Sequence, residues 1–408
     1  MKILFLSDNF PPEVNAPATR LYEHARHWVA AGHQVTVITC APNFPEGRVY
    51  PGYRNVFRSV EQVDGIRVVR VKTFISANEG FLKRTLDYMS FMFMSVLIGC
   101  FERRPDVVIA TSPQFFAACG GWLLGLLKWR PFVFELRDLW PASITAVGAL
   151  QPSLTIRLLE KLELFLYRRA AAIISVTHSF KNDLISRGID GEKIHVVING
   201  VDLSRYSPRP RDLELEERWS LKGKFVAGYI GTHGMAHALD GVVEAASMLV
   251  DDDSIRFMFV GGGADRARVE AMVAERGLTN IVLVSRQPKE LMPRIWSLCD
   301  VAIVPLKDNP VFATVIPSKI FECMGMGIPV LMSLPEGEAT GIVKESGCGT
   351  CVAPEDPGAM AAEIRRLAHS SELCANLSAQ SRDSAQRYSR EVLAKQMLQI
   401  VSSVAGTR

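Results

Sequence analysis

Ser318, Lys319 and Glu322 stand close together in the stretch Val311–Leu331, VFATVIPSKIFECMGMGIPVL, and each is of a type that can hold an anion or a diol. Pro317 precedes a short helical pattern carrying Ile320, Phe321 and Met324, which Gly325, Gly327 and Pro329 stop ahead of an apolar run. The pattern predicts a loop, a helix, a tight turn and a buried strand. At such a helix start the unpaired amides and the Lys319 ammonium suit a phosphate group. Glu322, one turn on, could accept two hydrogen bonds from a ribose diol. The same spacing also suits an ordinary buried helix of an α/β layer.

Other residues with chemical potential sit at comparable places. Phe132–Leu136 reads as a strand running into ELRDLWP, so Arg137 and Asp138 fall just past its carboxyl end, where polar side chains of α/β sheets point into a ligand crevice. A structural ion pair between the two is the alternative. Asn15 and Ala16 lie in the loop after the first strand, and Asn15 also suits a helix cap. GTHGMAHALD follows another strand and places Gly231, Thr232, Gly234 and two histidines, His233 and His237, before a helix, a turn able to hold a diphosphate although glycine there also serves plain turns. Glu338, shortly after the strand that follows PSKIFE, is a candidate to hold a sugar.

The elements that must position these groups alternate. Strands are predicted at Lys2–Ser7, Gln34–Thr39, Ile66–Lys72, Asp106–Thr111, Phe132–Leu136, Ala172–Val176 and Ile194–Ile198, with helical stretches between most of them. The alternation restarts at Phe225–Ile230, Ile255–Val260, Ile281–Ser285, Asp300–Val304 and Ile328–Met332. It predicts an α/β protein of two doubly wound, Rossmann-like parallel sheets. The proline- and arginine-rich Ser204–Arg211 marks a linker, giving an amino-terminal domain 1–203, a second domain 204–386 and a carboxyl-terminal helix 387–408 that could cross back to the first. Asn43–Arg58 is read as a long loop, and helical segments are expected at Pro357–His369 and Ser371–Ser403.

A chain of 408 residues exceeds what one core usually supports. Its net charge of +3 gives no reason to expect nucleic acid, while a pI near 8.4 allows a local basic face toward anionic lipid. Lys83, Arg84, Arg103 and Arg104 flank the apolar helical stretch Phe81–Phe101, which suits either a membrane surface or a buried helix. Neither Tyr88–Phe101 nor Phe115–Leu127 reaches the roughly 20 residues of a spanning helix. The first residues, MKILFLSDNFPPE, read as a buried strand, not a signal peptide. The eight cysteines fall mostly in apolar runs, as reduced thiols of the cytoplasm would, and Cys348-x-x-Cys351 has no partner pair to complete a zinc site. Asp251–Asp253 reads as a solvated loop.

NGVD near the linker, the glycine turn opening the second domain and PSKIFECMGMGIPV resemble the glycosyltransferases of GT-B fold, and among them family 4. NFPPEVNAPATRL, ELRDLWP, GYIGTHGMAHALD and PSKIFE resemble the branch that builds bacterial O-antigen and capsule, especially the N-acetyl-L-fucosaminyltransferases. The resemblance implies two facing domains with an interdomain cleft, and retaining transfer of an N-acetylated, deoxygenated hexose from a UDP-sugar to a lipid-linked saccharide. It implies no metal or other cofactor, and a site at the inner face of the plasma membrane. Many such proteins have a histidine where Arg137 stands and an aspartate at Asp138. Their diphosphate-binding arginine and lysine fall at Thr232 and His237, and a pair of glutamates falls at Thr314 and Glu322, so here only the second is present. His237 and Lys319 are expected to supply the missing positive charge. A sugar-nucleotide 2-epimerase and a noncatalytic binding scaffold are the other readings the fold allows.

Overall fold

The computed structural model describes residues 1–44, 46–76, 81–112, 114–139 and 154–406, so Trp140 and Pro141 of ELRDLWP lie outside the described residues. These fall into two compact units, Met1–Ile198 with Glu391–Arg408, and Asn199–Arg390.

The first unit is built on an eight-stranded sheet: β1 Lys2–Leu6, β2 Gln34–Cys40, β3 Arg58–Val63, β4 Ile66–Val71, β5 Val107–Thr111, β6 Phe132–Leu136, β7 Ala172–Ser175 and β8 Ile194–Val196. The order is β3-β4-β2-β1-β5-β6-β7-β8, so the winding reverses between β1 and β5. Helices cover both faces, and β5 and β6 are accordingly buried throughout and apolar except at Thr111 and Glu135. On one face, Phe91 and Ile98 of α2 (Phe81–Phe101), Leu124 of α3 (Phe115–Lys128) and Leu166 of α4 (Leu154–Arg169) pack on Leu4, Val108 and Phe134. On the other, Leu21, Ala25 and Trp28 of α1 (Ala16–Ala30) join Leu393, Met397 and Val401 of the helix Arg390–Ala405. The Trp28 indole Nε1 donates to the Ala394 carbonyl at 2.8 Å.

β3 is a strand the sequence reading left out. It pairs antiparallel with β4 through a two-residue turn, Asp64 and Gly65, both with positive φ. Its side chains face mostly solvent, so it lacks the apolar run that marks the central strands.

The second unit carries a six-stranded, wholly parallel sheet: β9 Phe225–Ile230, β10 Ile255–Val260, β11 Ile281–Val284, β12 Val301–Pro305, β13 Val330–Ser333 and β14 Gly349–Val352. Its order is β11-β10-β9-β12-β13-β14, with the reversal between β9 and β12. Ligands of such sheets bind outside the carboxyl ends of the strands at the reversal.

The units part at Ile198–Asn199, earlier than the expected break after Leu203. The NGVD turn is tied to the far end of the second unit instead. Val201 N donates to the Tyr388 carbonyl at 2.9 Å, Arg390 N to the Val201 carbonyl at 2.8 Å, and the Arg390 guanidinium to the Gly200 carbonyl at 2.6 Å. The bridge between Val201 and Ser389 also breaks the expected Ser371–Ser403 helical stretch into Ser371–Ala385, a single turn at Gln386–Tyr388, and Arg390–Ala405. The final helix therefore starts at Arg390, not near residue 387.

Candidate functional site

In the second unit the two loops at the reversal come together. β9 ends at Ile230 and the chain turns at Gly231, whose φ of +149° is open to glycine. A side chain there would also meet the Lys319 Nζ at 3.1 Å. The loop after β12 leads to the helix Lys319–Met326, and Lys307 N donates to the Ala236 carbonyl at 3.0 Å, joining it to the β9 loop. Because Ile320 and Phe321 donate to the Pro317 and Ser318 carbonyls, the amides of Ser318 and Lys319 remain at the helix start for an anion.

Lys319 is the focus of this arrangement. Its Nζ is buried, has no hydrogen-bond partner among the described residues, and lies 3.9 Å from the centroid of the Tyr229 ring. Burial pulls its pKa down to about 8, against the opposing pull of Cys323 and Glu322. His237, on the same loop as Gly231, has Nδ1 3.2 Å from the Gly234 carbonyl, and burial followed by the Lys319 charge lowers its pKa. Thr232 is exposed, and its carbonyl accepts from the Tyr229 hydroxyl. Glu322, one turn past Lys319, accepts at Oε2 from the Trp296 indole at 3.1 Å.

Thr314 caps its own turn, donating from Oγ1 to the Val311 carbonyl at 2.8 Å. Glu338 opens the helix Glu338–Ser346 directly after Gly337, where an added side chain would lie 2.1 Å from the Ala313 carbonyl. Only glycine lets the two backbones approach so closely, and the approach brings the Glu338 helix start to the turn that carries Thr314.

In the first unit, the backbone amides of Arg137 and Asp138 both donate to the Ser112 Oγ, at 2.7 and 3.2 Å, fixing the end of β6 against the end of β5. Beneath them Glu135 pairs with Arg20 of α1 at 2.8 Å, and the same guanidinium donates to the Val197 and Ile198 carbonyls. Asn15 serves as the cap of α1, accepting from Ala18 N at 3.0 Å, and its amide donates to the Asn9 side chain. Ala16 is the first helical residue. Beside this loop burial raises Asp8 and Glu13 to about 6 and Asp87 to about 7, with the Asp8 charge lifting Glu13 and the Asp8 and Glu13 charges lifting Asp87.

The structure thus gathers Gly231, Thr232, His237, Ser318, Lys319 and Glu322 in one unit and places Asn15, Ala16, Arg137 and Asp138 in the other. Sequence reading missed two contributors. Tyr229 looks like any apolar strand residue, and Trp296 like a core helix residue. His233 is fully buried with neither ring nitrogen hydrogen-bonded, and burial lowers its pKa to about 4. It is one of the two histidines that the glycine turn carries in the sequence. Among the described residues no group of three or more His, Cys, Asp or Glu is arranged to hold a metal ion.

Two parallel α/β units, each with its loops gathered at a strand-order reversal, define a protein of GT-B architecture. Residues 17–205 match the model of Glycosyltransferase Family 4 and residues 212–384 that of Glycosyl transferases group 1, so the chain is built from two glycosyltransferase domains. Over 376 residues it is 27% identical to WcaI of Escherichia coli (strain K12), ascribed to colanic acid biosynthesis as a glycosyl transferase, across 90% of this chain and 92% of WcaI. It is 26% identical to a GDP-mannose-dependent alpha-mannosyltransferase of Mycobacterium tuberculosis (strain CDC 1551 / Oshkosh), across 81% of this chain and 78% of that one. Among solved structures, Anabaena Alr3699/HepE in complex with UDP and glucose superposes with a TM-score of 0.73 at 17% identity, covering 99% of this chain and 100% of that one.

Proposed function

We propose that the protein is a retaining glycosyltransferase of surface polysaccharide synthesis, moving an N-acetylated, deoxygenated hexose from a UDP-sugar to a lipid-linked saccharide at the inner face of the bacterial plasma membrane. The observation that carries this reading is the buried, unneutralised Lys319 ammonium at a helix start beside the Gly231 turn, a place prepared for a diphosphate. The likeness to WcaI, ascribed to colanic acid biosynthesis, supports the polysaccharide context. As the anomeric carbon–oxygen bond breaks, the electron pair passes to the diphosphate, and Lys319, His237 and the amides of Ser318 and Lys319 stabilise that charge. The acceptor hydroxyl oxygen bonds the same carbon and its proton goes to the departing diphosphate. Glu322 holds the ribose and Glu338 takes the place of the glutamate absent at Thr314. Arg137 and Asp138 orient the acceptor or the sugar, with the Asn15–Ala16 loop beside them.

A GDP-sugar donor is the second reading, favoured by the mannosyltransferase relative. Mass spectrometry of products from a panel of UDP- and GDP-sugars offered with short lipid-diphosphate saccharides separates them. The expected result is a saccharide longer by one N-acetylated deoxyhexose, formed from UDP donor. Epimerised donor without acceptor, or donor binding with neither transfer nor hydrolysis, would overturn the transferase reading.

A further inference from the structure

The donor-site reading leaves Tyr229 unassigned, although its ring lies against the Lys319 ammonium and close to both histidines of the β9 loop. Its ring centroid lies 3.9 Å from the Lys319 Nζ, 6.1 Å from the His237 ring and 5.6 Å from the His233 ring, and its hydroxyl donates to the Thr232 carbonyl. Tyr229 itself is fully buried at the end of β9. A buried ammonium normally has a carboxylate or carbonyl partner. Around Lys319 the charged and titratable groups are Glu322 and Cys323 of its own helix, and His237 and His233 of the β9 loop. Asp265 and Arg266, from the element beyond, act on His233. Glu322 is engaged by Trp296, and burial keeps both histidines from charging at neutral pH. What faces the ammonium is the electron-rich face of an aromatic ring, well inside the ~6 Å reach of a cation–π contact.

We propose that Tyr229 is a positioning residue of the donor site: its ring holds the Lys319 ammonium at the Gly231 turn in the free protein, and an arriving nucleoside diphosphate takes over that charge and draws a proton onto Lys319. This rests on reading the second unit as the nucleotide-sugar site. The proton follows from linkage. Lys319 in the free protein has a pKa near 8, so part of the population is neutral there. A bound diphosphate favours the ammonium and raises that value, hence binding takes up protons around pH 8 and weakens as pH rises further. The aromatic face, not the hydroxyl, is the feature that matters.

The test is calorimetric titration of UDP, and of GDP in parallel, into the full-length protein at pH 8 in buffers of different ionisation enthalpy. The wild type is expected to take up roughly half a proton per nucleotide, and Lys319→Met none. Tyr229→Phe keeps the ring and binds within about threefold of wild type, whereas Tyr229→Leu loses about tenfold in affinity. Equal affinity of the Leu and Phe variants, with unchanged thermal melts, would overturn the positioning role. Nucleotide binding without proton uptake would overturn the linkage even if the Leu variant fails to fold. If neither nucleotide binds wild type, the donor-site reading itself falls and this inference with it.

Discussion

Lys319 and Glu322 are three positions apart on one helix and do different work. The first carries charge into a place where water is excluded, and the second presents a carboxylate one oxygen of which is already held by Trp296. Glu322→Ala would therefore confuse two effects, because the buried Trp296 indole would lose its acceptor at a cost of about 1–3 kcal/mol. Glu322→Gln keeps an acceptor there. The Gln variant is expected to melt within a few degrees of wild type while UDP affinity, read by equilibrium dialysis, falls about tenfold, since a hydrogen bond to a charged group contributes about 1.5–3 kcal/mol. Unchanged affinity would remove Glu322 from the ribose site. At this scale the sequence was informative where spacing mattered: Ser318, Lys319 and Glu322 are legible from PSKIFE. Tyr229 was not, because its role depends on which way a strand residue's ring faces once β9 and β12 are neighbours.

At the scale of elements, strand positions were readable because central parallel strands are continuous apolar runs, and β6 and β9 fall where expected. β3 escaped because it is a mostly exposed edge, although Asp64-Gly65 between Val63 and Ile66 is the usual dipeptide of a two-residue hairpin. The break at Ser389 escaped for a different reason: no proline or glycine marks it, and it exists because Val201 pairs there. Arg20 shows how elements are held in the first unit, its guanidinium joining α1 to Glu135 of β6 and to the carbonyls after β8. Burial would raise Glu135, but Arg20 and then Arg137 bring its pKa below the usual carboxylate range. Arg20→Met leaves that carboxylate buried without its partner, and should lower unfolding free energy by about 3–5 kcal/mol in urea titrations. A loss under 1 kcal/mol would show that the pair is dispensable.

For the molecule as a whole, the first unit presents an apolar outer surface that no described residue covers. Phe93, Leu97 and Phe101 of α2 share one outward stripe, and Leu126, Leu127 and Trp129 are exposed along and just past α3, with Phe101 81% and Trp129 74% exposed. Lys83, Arg84, Arg103 and Arg104 are exposed at the ends of α2. No helix among the described residues is long and apolar enough to cross a membrane; under the proposed function, this face is the one that would lie on anionic lipid. Replacing those four cations with glutamine should weaken cosedimentation with phosphatidylglycerol vesicles by at least tenfold, at roughly 1 kcal/mol per charge. Unaltered binding would remove the case for α2 as the contact.

Acidity gives a second whole-molecule property. The raised pKa values of Asp8, Glu13 and Asp87 mean that the folded state binds protons more tightly than the unfolded chain, so their contribution to stability is present at low pH and lost as pH rises through about 6 to 7. Asp87→Asn should accordingly raise the melting temperature at pH 8 by clearly more than at pH 5, with the gain vanishing below the unfolded carboxylate pKa of about 4. A gain at pH 5 and none at pH 8 would contradict the assignment.

The account stands most directly on where the nucleotide lies. A crystal structure of the protein with UDP is expected to show diphosphate oxygens within hydrogen-bonding distance of the Lys319 Nζ and of the amides of Ser318 and Lys319, with the ribose hydroxyls on Glu322. A nucleotide bound elsewhere, with Lys319 still lying against Tyr229, would contradict it.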